Sequence, residues 1–320
     1  MKTYALCTGR KMPALGFGTW HIPEEKLETA IAEALRIGFR HFDTAAIDGN
    51  EVIIGAALRK GMKTHPRKEL WITSKLWCDA HKPDDVVPAL KKSLHNLRLD
   101  YVDLYLMHFP IALKRGTQWP ASSEDYYTLE EVPLAETWQA MERCVKKGLV
   151  RDIGTSNFST TKLKDLMETA HIQPAVNQIE MHPYQQQHAQ RDYARRHHIQ
   201  LTAYYPLGGR DTTLRHPDGS ELPPLLTHPI LAQIASEHTV STAQVVLAWL
   251  LALEVSAIPS SSTPQRIQDN FAASSLVLTP QNIAAISELH AKVKLFDAKE
   301  FTRHDSPYSL ETIWDNELFT

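Results

Sequence analysis

The chain is short of everything that marks a stapled, membrane-spanning or nucleic-acid-binding protein. It has three cysteines, Cys7, Cys78 and Cys144, in 320 residues. None are spaced C-x-x-C, so the sequence carries neither a disulfide framework nor a zinc signature. No apolar run approaches the roughly 18 residues that a membrane span needs. The formal net charge of -3 is too small to provide a surface of one sign for nucleic acid or lipid. There is no G-x-G-x-x-G, so a Rossmann fold has no support, and no G-x-S-x-G hydrolase elbow. Sixteen histidines include no H-x-x-x-H or H-E-x-x-H pair, so no catalytic metal is expected. His197 and His198 follow Arg195 and Arg196 and read as a solvated basic face. The opening MKTYALCTGRKMP has no apolar signal segment, which sets the expectation of a reducing cytoplasm.

What is present is a regular alternation. At 43% apolar and 22% charged, the composition is that of a globular protein able to bury a full core. Short β-branched and aromatic runs lie at 14–20, 39–44, 70–75, 102–108, 150–156, 175–180, 201–206 and 255–260. Amphipathic stretches separate them. Residues 24–38 put Leu27, Ile31, Leu35 and Ile37 close to one face, and 84–99 do the same with Val87, Leu90, Leu94 and Leu97. The stretch 134–149 carries Trp138, Met141 and Val145, with Gly148 as a stop signal. Residues 242–253 are almost wholly apolar and should pack deeply. Strand–helix alternation calls for a parallel sheet. Eight of each gives an α/β (β/α)8 barrel as one domain over 1–320, its bottom plugged by an N-terminal hairpin. Three long segments, 109–133, 207–228 and 290–320, break the short-loop rule and are expected at the working face. Their aromatics, Trp119, Tyr126, Tyr127, Phe296, Phe301, Tyr308 and Trp314, suit pocket walls. Their arginines, Arg210, Arg215 and Arg303, could hold an anion.

Three of the runs end in a reactive side chain: Asp43, Lys75 and His108. In a (β/α)8 barrel the chemistry sits at the C-terminal ends of the strands, so these three should converge. Around them run LGFGTW (15–20), FDTA with GNE (42–51), ITSKLW (72–77), DLYLMHFP (103–110) and GLVRDIGTSNF (148–158). PAVNQIEMHPY (174–184), TAYYPLGG (202–209) and IPSSSTPQRIQDN (258–270) follow. In these motifs, and in their order, the chain resembles the aldo-keto reductase superfamily over nearly its whole length. Its tail and the stretch LYLMHFPIALKRG are similar to the sugar and sugar-phosphate reductases of that superfamily.

The resemblance implies hydride transfer between a nicotinamide and a carbonyl. Tyr204 offers a ring face for stacking on the nicotinamide. Ser156, Asn157 and Gln178 offer donors and acceptors for its carboxamide. Leu207 belongs to the same cofactor-binding set. Ser260, Ser261, Ser262 and Thr263 enter a helix whose first amides can hold phosphate. Arg266 would stack on adenine or pair with a 2′-phosphate, and Asn270 lies near the ribose. NADP(H) is favoured; NAD(H) stays open, because many relatives have lysine where this chain has Ser260. Trp20, Trp77 and Phe109 would line the substrate pocket. His182, in EMHPY, is read as structural. The expected partner is a small carbonyl or sugar, with no nucleic acid or membrane, in a monomer or weak homodimer.

One position departs from the pattern. The relatives that this chain resembles use a tyrosine acid shortly after Asp43, and here that position is Asp48. No tyrosine occurs in 43–60. Lys75 nearby should favour the ionised carboxylate, which has no proton to give. Three readings stay open: a reductase impaired by loss of its acid, an altered chemistry with His108 or water as donor, and a non-catalytic cofactor-binding sensor or subunit. A redox-free barrel isomerase or lyase is disfavoured by Tyr204 and Gln178.

Overall fold

The computed structural model describes residues 2–209, 214–215, 219–303 and 305–317. The chain opens with an antiparallel hairpin of β1 (Thr3–Ala5) and β2 (Lys11–Pro13). Then come β3 (Phe17–Gly18), α1 (Glu24–Ile37), β4 (His41–Asp43), α2 (Glu51–Gly61), β5 (Trp71–Leu76), α3 (Pro83–Leu97) and β6 (Val102–Met107). An excursion of β7 (Ala112–Leu113) against β8 (Tyr126–Tyr127) precedes α4 (Leu134–Lys146) and β9 (Val150–Ser156). Next are α5 (Thr160–Thr169), β10 (Val176–Glu180), α6 (His188–Arg196) and β11 (Gln200–Tyr204). A second excursion pairs β12 (Leu214–Arg215) with β13 (Glu221–Leu222). The chain ends with α7 (Pro229–His238), α8 (Thr242–Ala252), β14 (Ser256–Ala257), α9 (Pro264–Ala272), α10 (Pro280–Ser287) and α11 (Leu310–Trp314).

Eight strands form one parallel sheet in the order β3-β4-β5-β6-β9-β10-β11-β14. Its two edges meet at a parallel bridge between Leu15 and Ala257. The Gly16 amide donates to Ala257 O at 2.8 Å and the Gly18 amide to Pro259 O at 3.1 Å. A Cβ on Gly18 would lie 2.7 Å from Ile258 O, so only glycine lets the edges approach this closely. The sheet thereby curls into the expected (β/α)8 barrel. The runs 14–20 and 255–260, read as full strands, shrink to two residues each at this seam. The reason is local: the seam is held by a few bonds, chiefly from the Gly16 and Gly18 amides to carbonyls of the last run, rather than by a long ladder.

The helices bury the predicted stripes. Leu27, Ile31 and Leu35 of α1, and Trp138 and Met141 of α4, are buried. On α3 the inward residue is Val86, with Val87 half-buried beside Leu90, Leu94 and Leu97. α8 is apolar all round and buries every residue from Val245 to Leu251. The hairpin plugs the bottom: Leu6 and Met12 pack on Trp71, Leu104, Leu106, Ala175 and Val176. Met12 is fully buried, so Met12→Ala would cost about 2–5 kcal/mol. Arg10 clamps the same end through Asp103 at 2.9 Å and Asp152 at 2.8 Å.

Candidate active site

The strand ends gather the polar residues. β4, β5 and β6 are neighbours in the sheet, so Asp43, Lys75 and His108 arrive side by side. Lys75 Nζ pairs with Asp43 Oδ1 and donates to Thr44 O at 3.1 Å. Both side chains are buried, so each charge depends on the other. Asp43 Oδ2 accepts Gln178 Nε2 at 2.7 Å, across the barrel from β10. Gln178, expected at a carboxamide, therefore also orients Asp43. The His108 amide donates to Leu76 O at 3.1 Å, which seats its ring beside Trp77 at 5.1 Å.

His108 is held neutral. Burial, then Lys75 and His81, push its pKa well below the usual imidazole range. Its Nδ1 is buried with no hydrogen-bond partner among the described residues. A bare lone pair there is cheaper than an unpaired N–H, so the neutral ring is expected to carry its proton on Nε2.

Asp48 ends a short 3-10 turn after β4, followed by Gly49 in the left-handed region at φ 71°. Its carboxyl is pushed up to about 6, chiefly by burial. Lys75 pulls it down, Asp43 and Glu51 push it up, and the Ala45 backbone pulls it down. Lys75 favours the ionised form, as expected, but burial raises the carboxyl further than Lys75 lowers it, so the proton is held into mildly acid solution and lost by neutral pH. Desolvation outweighs the single nearby cation, because Asp43 already neutralises much of that cation's field.

A second cluster lies on β9, β10 and β11. Ser156 Oγ donates to Gln178 O at 2.9 Å, and Gln178 is register-paired with Ser156. Asn157 turns at φ 62°, a left-handed conformation that asparagine tolerates. The turn lets Asn157 Nδ2 donate to His108 O at 3.0 Å while its Oδ1 accepts Tyr204 Oη at 2.7 Å. Asn157 thus ties the tyrosine ring to the histidine strand. Leu207 is half-buried in the core beyond it.

The candidate phosphate end follows β14. Ser261 and Asn270 are buried, Ser262 is half-buried, and Ser260, Thr263 and Arg266 are exposed. Ser261 Oγ accepts the Thr263 amide at 3.1 Å. No side chain caps α9, whose first amides are left for an acceptor. Arg266 is exposed in the first turn of α9, its guanidinium open to a ligand. An uncapped helix start beside an exposed guanidinium fits the phosphate of a dinucleotide.

The long segments build an aromatic wall. Trp77, Phe109, Tyr126, Phe301, Tyr308 and Trp314 pack in one cluster, with Phe296 against it. Trp119 is half exposed and stacks on Phe301 at 5.5 Å. Phe109 stacks on His108 at 5.5 Å. Trp20 stands apart from this cluster, 43% exposed and edge-on to Tyr205 at 5.3 Å. Tyr127 instead turns to Lys82, 4.3 Å from its ring. Arg215 pairs with Glu221 at 2.5 Å on the exposed β12–β13 hairpin, which takes it out of the anion role. Arg303 is exposed and its carbonyl accepts Tyr126 Oη at 3.2 Å; Arg210 lies outside the described residues. Sequence reasoning missed Glu180, which is fully buried two residues after Gln178. A carboxylate inside a buried strand was the available signal.

A parallel barrel with a buried acid–base cluster at its strand ends defines the class: a (β/α)8 enzyme. Residues 14–291 match the Aldo/keto reductase family. An aldo/keto reductase of Synechocystis sp. is 43% identical over 317 residues, 98% of this chain and 97% of that one. Aldo-keto reductase family 1 member A1 of Bos taurus is 41% identical over 293 residues, 90% of this chain and 89% of that one. The structure of the aldose reductase from Schistosoma japonicum superposes with a TM-score of 0.88 at 33% identity, covering 99% of both chains. The chain belongs to the aldo/keto reductase family, whose members are oxidoreductases acting on small carbonyl compounds.

Proposed function

We propose that this chain reduces an aldehyde or ketone to an alcohol with NADP(H), and that an aldose or aldose phosphate is its substrate class. The observation that carries the reading is the Lys75–Asp43 pair with His108 at the ends of three adjacent strands. NADP(H), when bound, supplies the hydride. Tyr204 would support one face of its nicotinamide, with Ser156, Asn157 and Gln178 at the carboxamide. Arg266 and the start of α9 would take the phosphates. Neutral His108 would donate from Nε2 to the carbonyl oxygen and orient it. The wall of Trp77 and Phe109 would shield that oxygen from water, with Trp20 at the mouth.

The proton is the weak point of this site. Asp48 occupies the position that the resemblance gives to a tyrosine acid. With its carboxyl near 6, it is mostly ionised at neutral pH and can donate only in acid. The reading is therefore a reductase slowed at neutral pH, not a non-catalytic binder. Its test is NADPH consumption with a panel of aldehydes, aldoses and aldose phosphates, for this chain and for Asp48→Tyr. The tyrosine form should be about 10²–10⁴-fold faster. Equal rates would overturn the assignment of Asp48 as the limiting group. No turnover by either form would overturn the reductase reading.

A further inference from the structure

Glu180 is a fully buried carboxylate that reaches from the β10 end of the site to the C-terminal tail. It ends β10 and is register-paired with Tyr204. Side chains alternate along a strand, so Gln178 and Glu180 share a face. Gln178 reaches Asp43, whereas Glu180 reaches the tail. Its Oε1 accepts the Leu295 amide at 2.5 Å and His182 Nε2 at 3.1 Å, and its Oε2 accepts the Phe296 amide at 2.9 Å. Two consecutive backbone amides on one carboxylate fix the backbone there, and with it the direction of the Phe296 side chain.

That direction matters for the pocket. The Phe296 ring meets Phe109 at 5.4 Å, and Phe109 stacks on His108. The next residue, Asp297, accepts Trp314 Nε1 at 2.9 Å through its carbonyl, and Lys294 lies 3.4 Å over the Trp314 ring. The far end of the tail has its own anchors. Asp315 takes Lys162 Nζ at 2.6 Å, and Glu317 takes the Thr160 amide at 3.0 Å. Those distal anchors hold the tail to α5. Glu180 acts at Leu295 and Phe296, where the tail enters the aromatic wall, while Tyr126 and Tyr308 bond it further on.

We propose that Glu180 is a positioning residue for substrate selectivity: by gripping the amides of Leu295 and Phe296, it sets the aromatic wall against which the aldehyde packs. This rests on the carbonyl-reductase reading. It touches no substrate and moves no proton. Replacing it with glutamine keeps size and shape but presents an NH2 group to one backbone amide, so one of the two grips is lost. The wall then loosens at Phe296 while the cofactor residues on β9 and β11 keep their own bonds.

The test compares this chain with Glu180→Gln in two measurements. The first is hydrogen exchange of tail residues 293–303, which needs no turnover. The proposal expects these amides to exchange at least about tenfold faster in the variant, with β5 and β6 unchanged. Unchanged exchange in the tail would overturn it, as would faster exchange spread evenly over the barrel. The second is binding to the NADP-loaded proteins, read by tryptophan fluorescence, with benzaldehyde as the bulky probe and propanal as the small one. Benzaldehyde affinity should fall about tenfold and propanal affinity less than twofold, with NADPH affinity unchanged. Equal losses for both aldehydes and for NADPH would mean a merely structural role and overturn the proposal. If the reductase reading itself were wrong, the unsubstituted chain would bind neither aldehyde, a result that differs from loss in the variant alone. The latch would then stand or fall on the exchange data, and its selectivity role would be overturned.

Discussion

The two ends of the barrel both bury carboxylates against cations, and they use them differently. At the bottom, Asp103 accepts Arg10, Arg67 and the Ile72 amide, and Asp152 accepts Thr8 and Arg10. The clamp ties the hairpin to β5, β6 and β9, and its long arginines remain partly in solvent. At the top, Asp43 is satisfied by Lys75 and Gln178, but its neighbours are not. His108 Nδ1 and both ring nitrogens of His81 are buried without a partner among the described residues, and burial lowers the His81 ring to about 3. Pairing is incomplete at the bottom too, where Arg67 Nε, Trp71 Nε1 and His41 Nδ1 are buried without a partner among the described residues and burial lowers His41 to about 4. The ends differ in that the bottom carboxylates tie the hairpin to the strands, whereas the top sets a neutral His108 beside a buried ion pair at the strand ends. In this barrel the bottom reads as stability and the top as chemistry, as the fold generally divides them.

Substitutions that break one end and spare the other sharpen the contrast. The largest effect after restoring a tyrosine is expected from Lys75→Met. It strands buried Asp43, and unfolding in denaturant should show a loss of about 3–5 kcal/mol, together with near-complete loss of NADPH-dependent turnover. Asp103→Asn at the bottom should lower stability by about 1–3 kcal/mol and leave kcat/KM within twofold. A matching fall in kcat/KM would erase the division. Arg266→Ala should raise the KM for NADPH about tenfold, the size of one charge-assisted contact, and change that for NADH much less. Parallel changes would place Arg266 on adenine rather than on a 2′-phosphate.

The smallest effect concerns stability at Asp48. Its carboxyl lies above the ordinary value of 3.8, so the folded state binds the proton more tightly than the unfolded state does. Its stabilising share is present below the unfolded value and is lost as pH rises through about 6. Asp48→Asn should therefore raise Tm by about 1–3 °C at pH 8 and leave it unchanged at pH 4. A gain at pH 4 as large as at pH 8 would mean that the carboxyl is not held high.

Much of the barrel was legible because its signals are local. Period-3.6 stripes gave α1, α3 and α4, and buried apolar runs gave β5, β6, β9 and β10 to within about two residues. The seam strands β3 and β14 were overestimated, since glycine contacts across the barrel, not propensity, decide their length. Asp43, Lys75 and His108 were readable as strand-end polar residues. The grip of Glu180 was not, because its partners are backbone amides more than a hundred positions away that carry no residue signature. How high the Asp48 carboxyl sits was not legible for a related reason: a sequence names the neighbouring lysine but not the depth of burial that opposes it.

The most direct test of the account is the pH dependence of NADPH-driven aldehyde reduction by the unsubstituted chain, with Asp48→Asn beside it. The account predicts that kcat/KM rises as pH falls from 8 through about 6 and then levels, and that the asparagine form stays low and flat. A rate that does not change across that range, or an asparagine form that follows the same curve, would contradict the assignment of Asp48 as the group that supplies the proton.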